Sequence, residues 1–319
     1  AKQGFFSVRR TANNEKRKRV VCVLTGHGLK DSDRAIASVE KPDGEGWEKD
    51  IDTFDTWFSS GQWPLIVTDF PDGKDFSTFY PTDTMATGHD LIFKWVPRMV
   101  IFGLYLSGRA PFNTVYLHGL VNDAKGKKMS KSKGNVINPL TLTEKYGTDA
   151  LRMALIIGNT PGTDLALQED KVKAYKHFAN KLWNITRFVL ENTEGVSFDK
   201  KPELSGGMVD VEAQINALTK EVTDDIEKYR FYIAGEKLYH YVWHTFADIV
   251  IESCKKEMLG GSAEKKYEAQ WFLQNTLKTC LKMLHPFIPF ITEEIWGSLP
   301  RNNQLLMIEK WPNSSDNLD

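Results

Sequence analysis

Gly126-Lys127-Lys128-Met129-Ser130-Lys131-Ser132-Lys133-Gly134-Asn135 is the stretch on which the reading of this chain turns. Four lysines within seven positions, bracketed by glycines, make a loop whose ammonium and backbone N–H groups can converge on a polyanion. A triphosphate is the natural ligand of that kind. The stretch is not a Walker loop, because Gly126 is not followed at the required spacing by Gly-Lys-Ser/Thr. A solvated charged loop is the ordinary alternative for a lysine cluster.

The neighbours of this loop set the fold class. Asn113 to Leu117 reads as a short β-branched strand before it, and Leu142 to Ile157 as a helix after it. Upstream, aromatics and short loops dominate: Asp55 to Pro64 (DTWFSSGQWP), then Phe79-Tyr80-Pro81, then an amphipathic stretch from Asp90 to Leu106. Strands alternating with helices predict an α/β layer arrangement with a parallel sheet. From about Ala174 the periodicity becomes helical, over Tyr175 to Glu191, Val211 to Tyr229, Phe231 to Leu259 and Glu264 to Leu284. This half is predicted to be an all-α bundle. Pro202 and Gly206-Gly207 separate its helices, and Gly260-Gly261 is the stop signal of the third. Near the end, Pro286 and Pro289 set an extended elbow, and Thr292 is placed to cap the helix that Glu293 and Glu294 begin.

Composition narrows the function classes. The chain has 319 residues, 41% of them hydrophobic, enough for a buried core and, by length, about two domains. Lys+Arg 41 against Asp+Glu 42 leaves a net charge of -1, so any RNA contact must come from local patches. Cys22, Cys254 and Cys280 lie far apart, without zinc-site spacing or disulfide density, which fits a reducing cytoplasm and no metal centre. No apolar run has the length of a membrane span, and the basic N-terminal stretch (Arg9, Arg10, Lys16 to Arg19) lacks the apolar core of a signal peptide.

Lys128 to Ser132 match, without a mismatch, the Lys-Met-Ser-Lys-Ser signature loop of class I aminoacyl-tRNA synthetases. Further blocks resemble those of the valyl-tRNA synthetase family (class Ia), in order and at similar spacing. They are Asp55 to Ser60, Phe79 to Thr82, Thr87-Gly88-His89-Asp90, Pro111 to Val121, Gly134 to Leu140 and Gly147 to Arg152. The resemblance implies a partial Rossmann-like class I catalytic domain over residues 43–170. Ala179 to Asn184 with Arg187-Phe188, and His285 to Trp296, resemble the start and the closing helix of the anticodon-binding helical domain of the Val/Ile/Leu/Met enzymes, here 171–319.

The implied activity is that of a valine-tRNA ligase. ATP with Mg2+ and L-valine give valyl-adenylate, and the valyl group then passes to tRNA(Val); no tightly bound cofactor is expected. Lys131 and Lys128 would be catalytic, Lys131 stabilising charge on the departing pyrophosphate, a kind of contact whose loss costs roughly 3 to 4 kcal/mol. Lys128, Met129, Ser130, Lys131 and Ser132 would bind ATP, with Gly88, Asp90 holding the ribose hydroxyls, and His118 and Gly119 beside the adenine. Trp57, Leu91 and Trp95 would line the valine pocket. Core packing is the ordinary alternative for each aromatic. Trp183 or Tyr241 could stack on anticodon bases, although there too core packing is the simpler reading.

The pattern also departs from the family. The second class I signature, His-x-Gly-His, is absent, and there is no room for an editing domain. This makes the chain resemble a fragment, with two alternatives: a non-catalytic tRNA-binding module, or half of a split enzyme whose other half is a separate chain. Residues 1–42, with a strand over Arg19 to Leu24 leading into Thr25-Gly26-His27-Gly28, resemble the C-terminal end of threonine synthases instead. Thr25 would there lie near the pyridine nitrogen of pyridoxal phosphate. The turn at Pro42 to Gly46 would mark the joint of a fusion or gene boundary, and threonine synthase activity is a distant alternative.

Overall fold

The computed structural model describes the backbone of residues 4–9 and 18–23, and residues 55–198, 200–300 and 304–312 in full apart from the Lys131 side chain. The expected strand over Arg19 to Leu24 corresponds to β2 (Lys18–Val23), which pairs antiparallel with β1 (Gly4–Arg9) in the register Gly4 to Val23 and Arg9 to Lys18. Thr25 and the Pro42 to Gly46 turn lie outside the described residues. By packing, the chain divides into two compact units, Ala1–Leu117 and His118–Asp319.

In the first unit, Asp55 starts α1 (Thr56–Gly61) by accepting the Trp57 N–H at 2.7 Å. Two short helices follow, α2 (Trp63–Ile66) and α3 (Lys74–Phe79). β3 (Thr82–Gly88) runs into a 3-10 turn (His89–Leu91) and α4 (Val96–Ser107), after which β4 (Phe112–His118) returns beside β3. Thr82 donates its N–H to the Pro111 carbonyl at 2.9 Å, so the two strands start side by side, as a strand–helix–strand crossover requires. The expected strand at Asn113 to Leu117 is therefore present and one residue longer at each end. Pro97 sits in the first turn of α4, where its missing N–H costs no bond, and Val96 and Met99 pack with Phe112 beneath the sheet.

The second unit begins with β5 (Val121–Asn122), paired parallel with β6 (Leu165–Ala166). Between them the predicted single helix over Leu142 to Ile157 is two helices, α5 (Pro139–Tyr146) and α6 (Thr148–Ile156). Gly147 separates them at φ 92°, a backbone conformation that side chains rarely adopt and that apolar periodicity does not register. Asn138 and Pro139 open α5, Asn138 Oδ1 accepting the Leu140 N–H at 3.0 Å. Leu142, Ala150, Leu151, Ala154, Leu167 and Val172 form the small core under these helices.

The bundle follows: α7 (Glu169–Thr193), α8 (Gly207–Glu227), α9 (Phe231–His240), α10 (Ile251–Gly260), α11 (Ala263–Leu284) and α12 (Pro289–Ser298). The expected helix from Phe231 to Leu259 is continuous, but its middle, Tyr241–Val250, is wound as a π-helix between α9 and α10. Phe178, Leu182, Phe246, Leu273, Leu277 and Leu281 fill the bundle core. Cys254 and Cys280 are free and buried there, the Cys254 thiol pushed up to about 12 by burial.

Two expectations at the C-terminal elbow are corrected. The Pro286–Pro289 segment is a tight turn, not an extended one, with Phe287 and Ile288 both donating to the Leu284 carbonyl at 2.9 and 3.0 Å. Thr292 does not cap a helix: α12 already starts at Pro289, and the buried Thr292 hydroxyl donates back to Ile288 at 2.8 Å. The cap comes from a different helix. Asp149 of α6 accepts the N–H groups of Phe290 (3.3 Å) and Ile291 (2.7 Å), and Arg152 donates to the Phe287 and Pro286 carbonyls.

Candidate active site

The signature loop hangs between β5 and α5, and two polar side chains hold it. Asp123 follows β5 directly, and its Oδ1 accepts the N–H groups of Lys125 (3.0 Å) and Lys127 (2.8 Å). Its Oδ2 accepts Asn135 Nδ2 at 2.8 Å. Asn135 also accepts the Ser130 N–H at 3.0 Å and donates to the Lys128 carbonyl at 3.3 Å. The Asn135 contact, followed by the backbone donors, holds the Asp123 carboxyl below the usual carboxylate range. Met129 is half-buried and accepts the Ile137 N–H on its sulfur at 3.2 Å, while Ser130 and Ser132 share a hydroxyl contact of 3.2 Å.

Lys127, Lys128 and Lys133 are exposed. The Lys131 backbone lies in a 3-10 turn (Lys131–Lys133), and its side chain is outside the described residues. The arrangement presents cations to solvent from a backbone fixed at both ends, which suits an anion of high charge.

His118 ends β4 with an exposed ring, its Nδ1 2.9 Å from the Gly119 carbonyl. Gly119 is buried, and a Cβ there would lie 1.6 Å from the Thr163 carbonyl oxygen, so only glycine fits the approach of the Thr163–Asp164 segment. Asp164 then accepts the Leu120 N–H at 2.8 Å and orders the start of β5.

In the first unit, Gly88 is buried at the carboxyl end of β3, and Asp90 is exposed in the 3-10 turn that follows. Carboxyl ends of strands are where α/β sheets bind ligands. The expected pocket residues are all half-buried and fall on neighbouring elements. Trp95 donates its N–H to the Leu91 carbonyl at 3.0 Å, and its indole Nε1 to the Ser60 carbonyl of α1 at 2.8 Å. Arg98, one turn along α4, lays its guanidinium over the Trp57 ring at 5.0 Å. Trp95 is thus tied to Leu91 and to α1, and Trp57 on α1 is tied to α4 through Arg98.

Sequence reasoning assigned no role to Asp123, Asn135, Asp164, Ser60 or Arg98. For Asp123 and Asn135 a signal existed, since Asp and Asn in loops favour side-chain-to-backbone turns, but their partnership spans twelve positions. Of the two aromatics considered for base stacking, Trp183 is exposed and Tyr241 is buried in the bundle core, which removes Tyr241 as a stacking surface.

The family of class I tRNA synthetases (I, L, M and V) matches residues 9–168, and the anticodon-binding domain of tRNA ligases matches residues 210–319. The first match runs through most of the segment 1–42. A valine–tRNA ligase of Clostridium acetobutylicum is 43% identical over 291 residues, covering 90% of this chain and 33% of that protein. That of Bacillus subtilis is 40% identical over 290 residues, covering 89% and 33%. The chain thus spans about a third of the length of the curated relatives it matches. Among solved structures, the ternary complex of Agrobacterium radiobacter K84 LeuRS with tRNA and LeuAMS aligns at a TM-score of 0.72 and 21% identity, over 90% of this chain and 36% of that one. Mycobacterium tuberculosis methionyl-tRNA synthetase aligns at 0.65 and 20%, over 76% and 50%. These two show the fold alone; the family match over half of the chain shows that it belongs to the class I tRNA synthetases of the isoleucine, leucine, methionine and valine group.

Proposed function

We propose that this chain carries the signature-loop part of the catalytic domain (43–170) and the anticodon-binding domain (171–319) of a cytoplasmic valine-tRNA ligase. Its substrates are ATP, arriving with Mg2+ on its phosphates, L-valine and tRNA(Val). The observation that carries this reading is the latched loop, which holds the Lys128–Ser130 backbone and leaves Lys127, Lys128 and Lys133 exposed. The valine carboxylate attacks the α-phosphate, pyrophosphate leaves, and Lys131 with Lys128 offsets the charge that develops on it. Trp57, Leu91 and Trp95 give apolar walls for a branched side chain, and the 43% identical relative supports valine over its analogues. Gly88, Asp90, His118 and Gly119 serve the adenylate.

Residues 1–42 are assigned to a threonine-synthase-like tail, a reading with which the family match from residue 9 competes. Two further readings are a tRNA-binding module in which the loop is vestigial, and one half of a split enzyme completed by a separate chain, which the unaltered Lys128 to Ser132 signature fits.

Valine-dependent pyrophosphate exchange on the purified chain, beside Lys131→Ala, tests the proposal. Exchange that requires valine and falls by about 100-fold to 1,000-fold in the variant supports it. Exchange driven equally by isoleucine or leucine overturns the valine assignment. No exchange with tRNA binding retained leaves the binding-module or split-enzyme reading.

A further inference from the structure

We infer that Asp123 and Asn135 are positioning residues, a two-residue latch that sets the Lys128–Ser130 backbone for triphosphate. The inference rests on the reading of the loop as the ATP-binding element. Asn135 reaches the loop at both of its ends: Nδ2 donates to Asp123 Oδ2 and the Lys128 carbonyl, and Oδ1 accepts the Ser130 N–H. Only one orientation of the amide satisfies all three partners, because the reversed one would set oxygen against a carboxylate and a carbonyl. Asp123 completes the device from the other strand of the turn, taking the Lys125 and Lys127 N–H groups, while its own N–H donates to the Lys127 carbonyl at 2.9 Å.

The physical need is plain. Lys127, Lys128, Lys131 and Lys133 repel one another, and a free loop would lose conformational entropy on gathering them around one ligand. The latch meets that ordering cost in the free protein and uses no ammonium group to do so, so the cations stay available. Asp123 also adds a negative charge at the loop's base, and the Asn135 contact favours that ionised form. An ordinary structural turn would need neither the second arm to Ser130 nor the sequence separation of twelve residues between the partners.

The test uses the full chain with ATP as the probe, comparing Asn135→Ala with the exchanged pair Asp123→Asn, Asn135→Asp. In the exchanged pair the amide at 123 donates to the carboxylate at 135, which still accepts the Ser130 N–H but cannot donate to the Lys128 carbonyl. Calorimetry gives ATP affinity, and hydrogen exchange gives protection of the amides from 125 to 130. Asn135→Ala is expected to speed that exchange and weaken ATP binding, each about tenfold, with the melting of the helical bundle unchanged. The exchanged pair is expected to recover part of both, since it restores the 123–135 and Ser130 contacts and not the one to Lys128. Faster exchange with ATP affinity unchanged would overturn the latch as a positioning device, as would an exchanged pair no better than Asn135→Ala. An unaltered chain that binds no ATP would instead remove the loop reading itself, and the inference with it.

Discussion

The helix α11 and the signature loop lie in the same compact unit and are ordered by opposite means. Along α11, Leu273, Leu277, Leu281 and Leu284 repeat at three- and four-residue intervals and are fully buried against the bundle. The loop from Gly126 to Asn135 buries no described side chain completely, and its backbone is fixed by hydrogen bonds from Asp123 and Asn135 and by the Met129 sulfur. Burial of apolar area is non-directional and tolerant of small displacement, whereas hydrogen bonds to charged groups are directional. The bundle is therefore a stable frame, and the loop is a precise but weakly held feature on it. A ligand can move such a feature without disturbing the frame.

The largest expected effect comes from breaking the frame. Leu281→Ala removes a fully buried side chain and leaves a cavity between α11 and its neighbours, at a cost of about 3 to 4 kcal/mol. Denaturant unfolding followed by far-ultraviolet circular dichroism reads the loss. Protection of the loop amides from 125 to 130, measured under native conditions, should stay within twofold of the unaltered chain, roughly the resolution expected for uncoupled sites. Loss of loop protection in parallel would show that the two regions are one cooperative unit after all.

A smaller effect is expected where loop and sheet meet. Gly119→Ala forces a Cβ against the Thr163 carbonyl and, at 2.9 Å, the Asp164 N, backbone atoms that no side-chain rotation can move aside. About 2 kcal/mol is expected, within the range for overpacking. The damage should be local. The Leu120 N–H, bonded to Asp164, and the Leu165 N–H, bonded to the Leu120 carbonyl at 2.8 Å, should exchange faster while amides of α11 do not. Unchanged protection at Leu120 and Leu165 would mean that the Thr163–Asp164 segment can shift freely.

The same contrast explains what the sequence made legible. The long helices were readable because a buried stripe repeats over many turns, as in α7, α8 and α11, and β4 was readable from its β-branched run. The family blocks marked Trp57, Asp90, Gly119 and Lys128 by resemblance. What stayed hidden was set by single backbone angles or by distant partners. Gly147 splits an unbroken apolar pattern, the π-helical stretch leaves the composition of Tyr241–Val250 unremarkable, and the cap of α12 comes from Asp149, 142 residues before Ile291. Ser60 supports Trp95 through a carbonyl oxygen, an atom every residue has.

The smallest expected effect lies at that α12 junction and has a sign that burial decides. His285 sits with Nδ1 2.9 Å from the Thr292 hydroxyl and Nε2 3.8 Å from the Glu293 carboxylate, facing Asp149 and Arg152 of α6. Burial lowers its pKa and outweighs the pull of Glu293 and Asp149 in the other direction. With the folded value below the ordinary 6.5, both states are neutral above 6.5 and no stability is lost there. As pH falls through that value the unfolded chain takes up the proton first, so stability declines until the folded value is passed. Asp149 works with the opposite sign: burial raises its carboxyl from 3.8, so its contribution is present in acid and fades as pH rises. Unfolding free energies at pH 7.5 and 5.5, compared between the unaltered chain and His285→Gln, read the histidine. The unaltered chain should be less stable at the lower pH, and His285→Gln, which cannot titrate, should show a shallower decline. Equal slopes would assign the acid sensitivity to other groups and leave the junction held by packing and by the Asp149 and Arg152 hydrogen bonds.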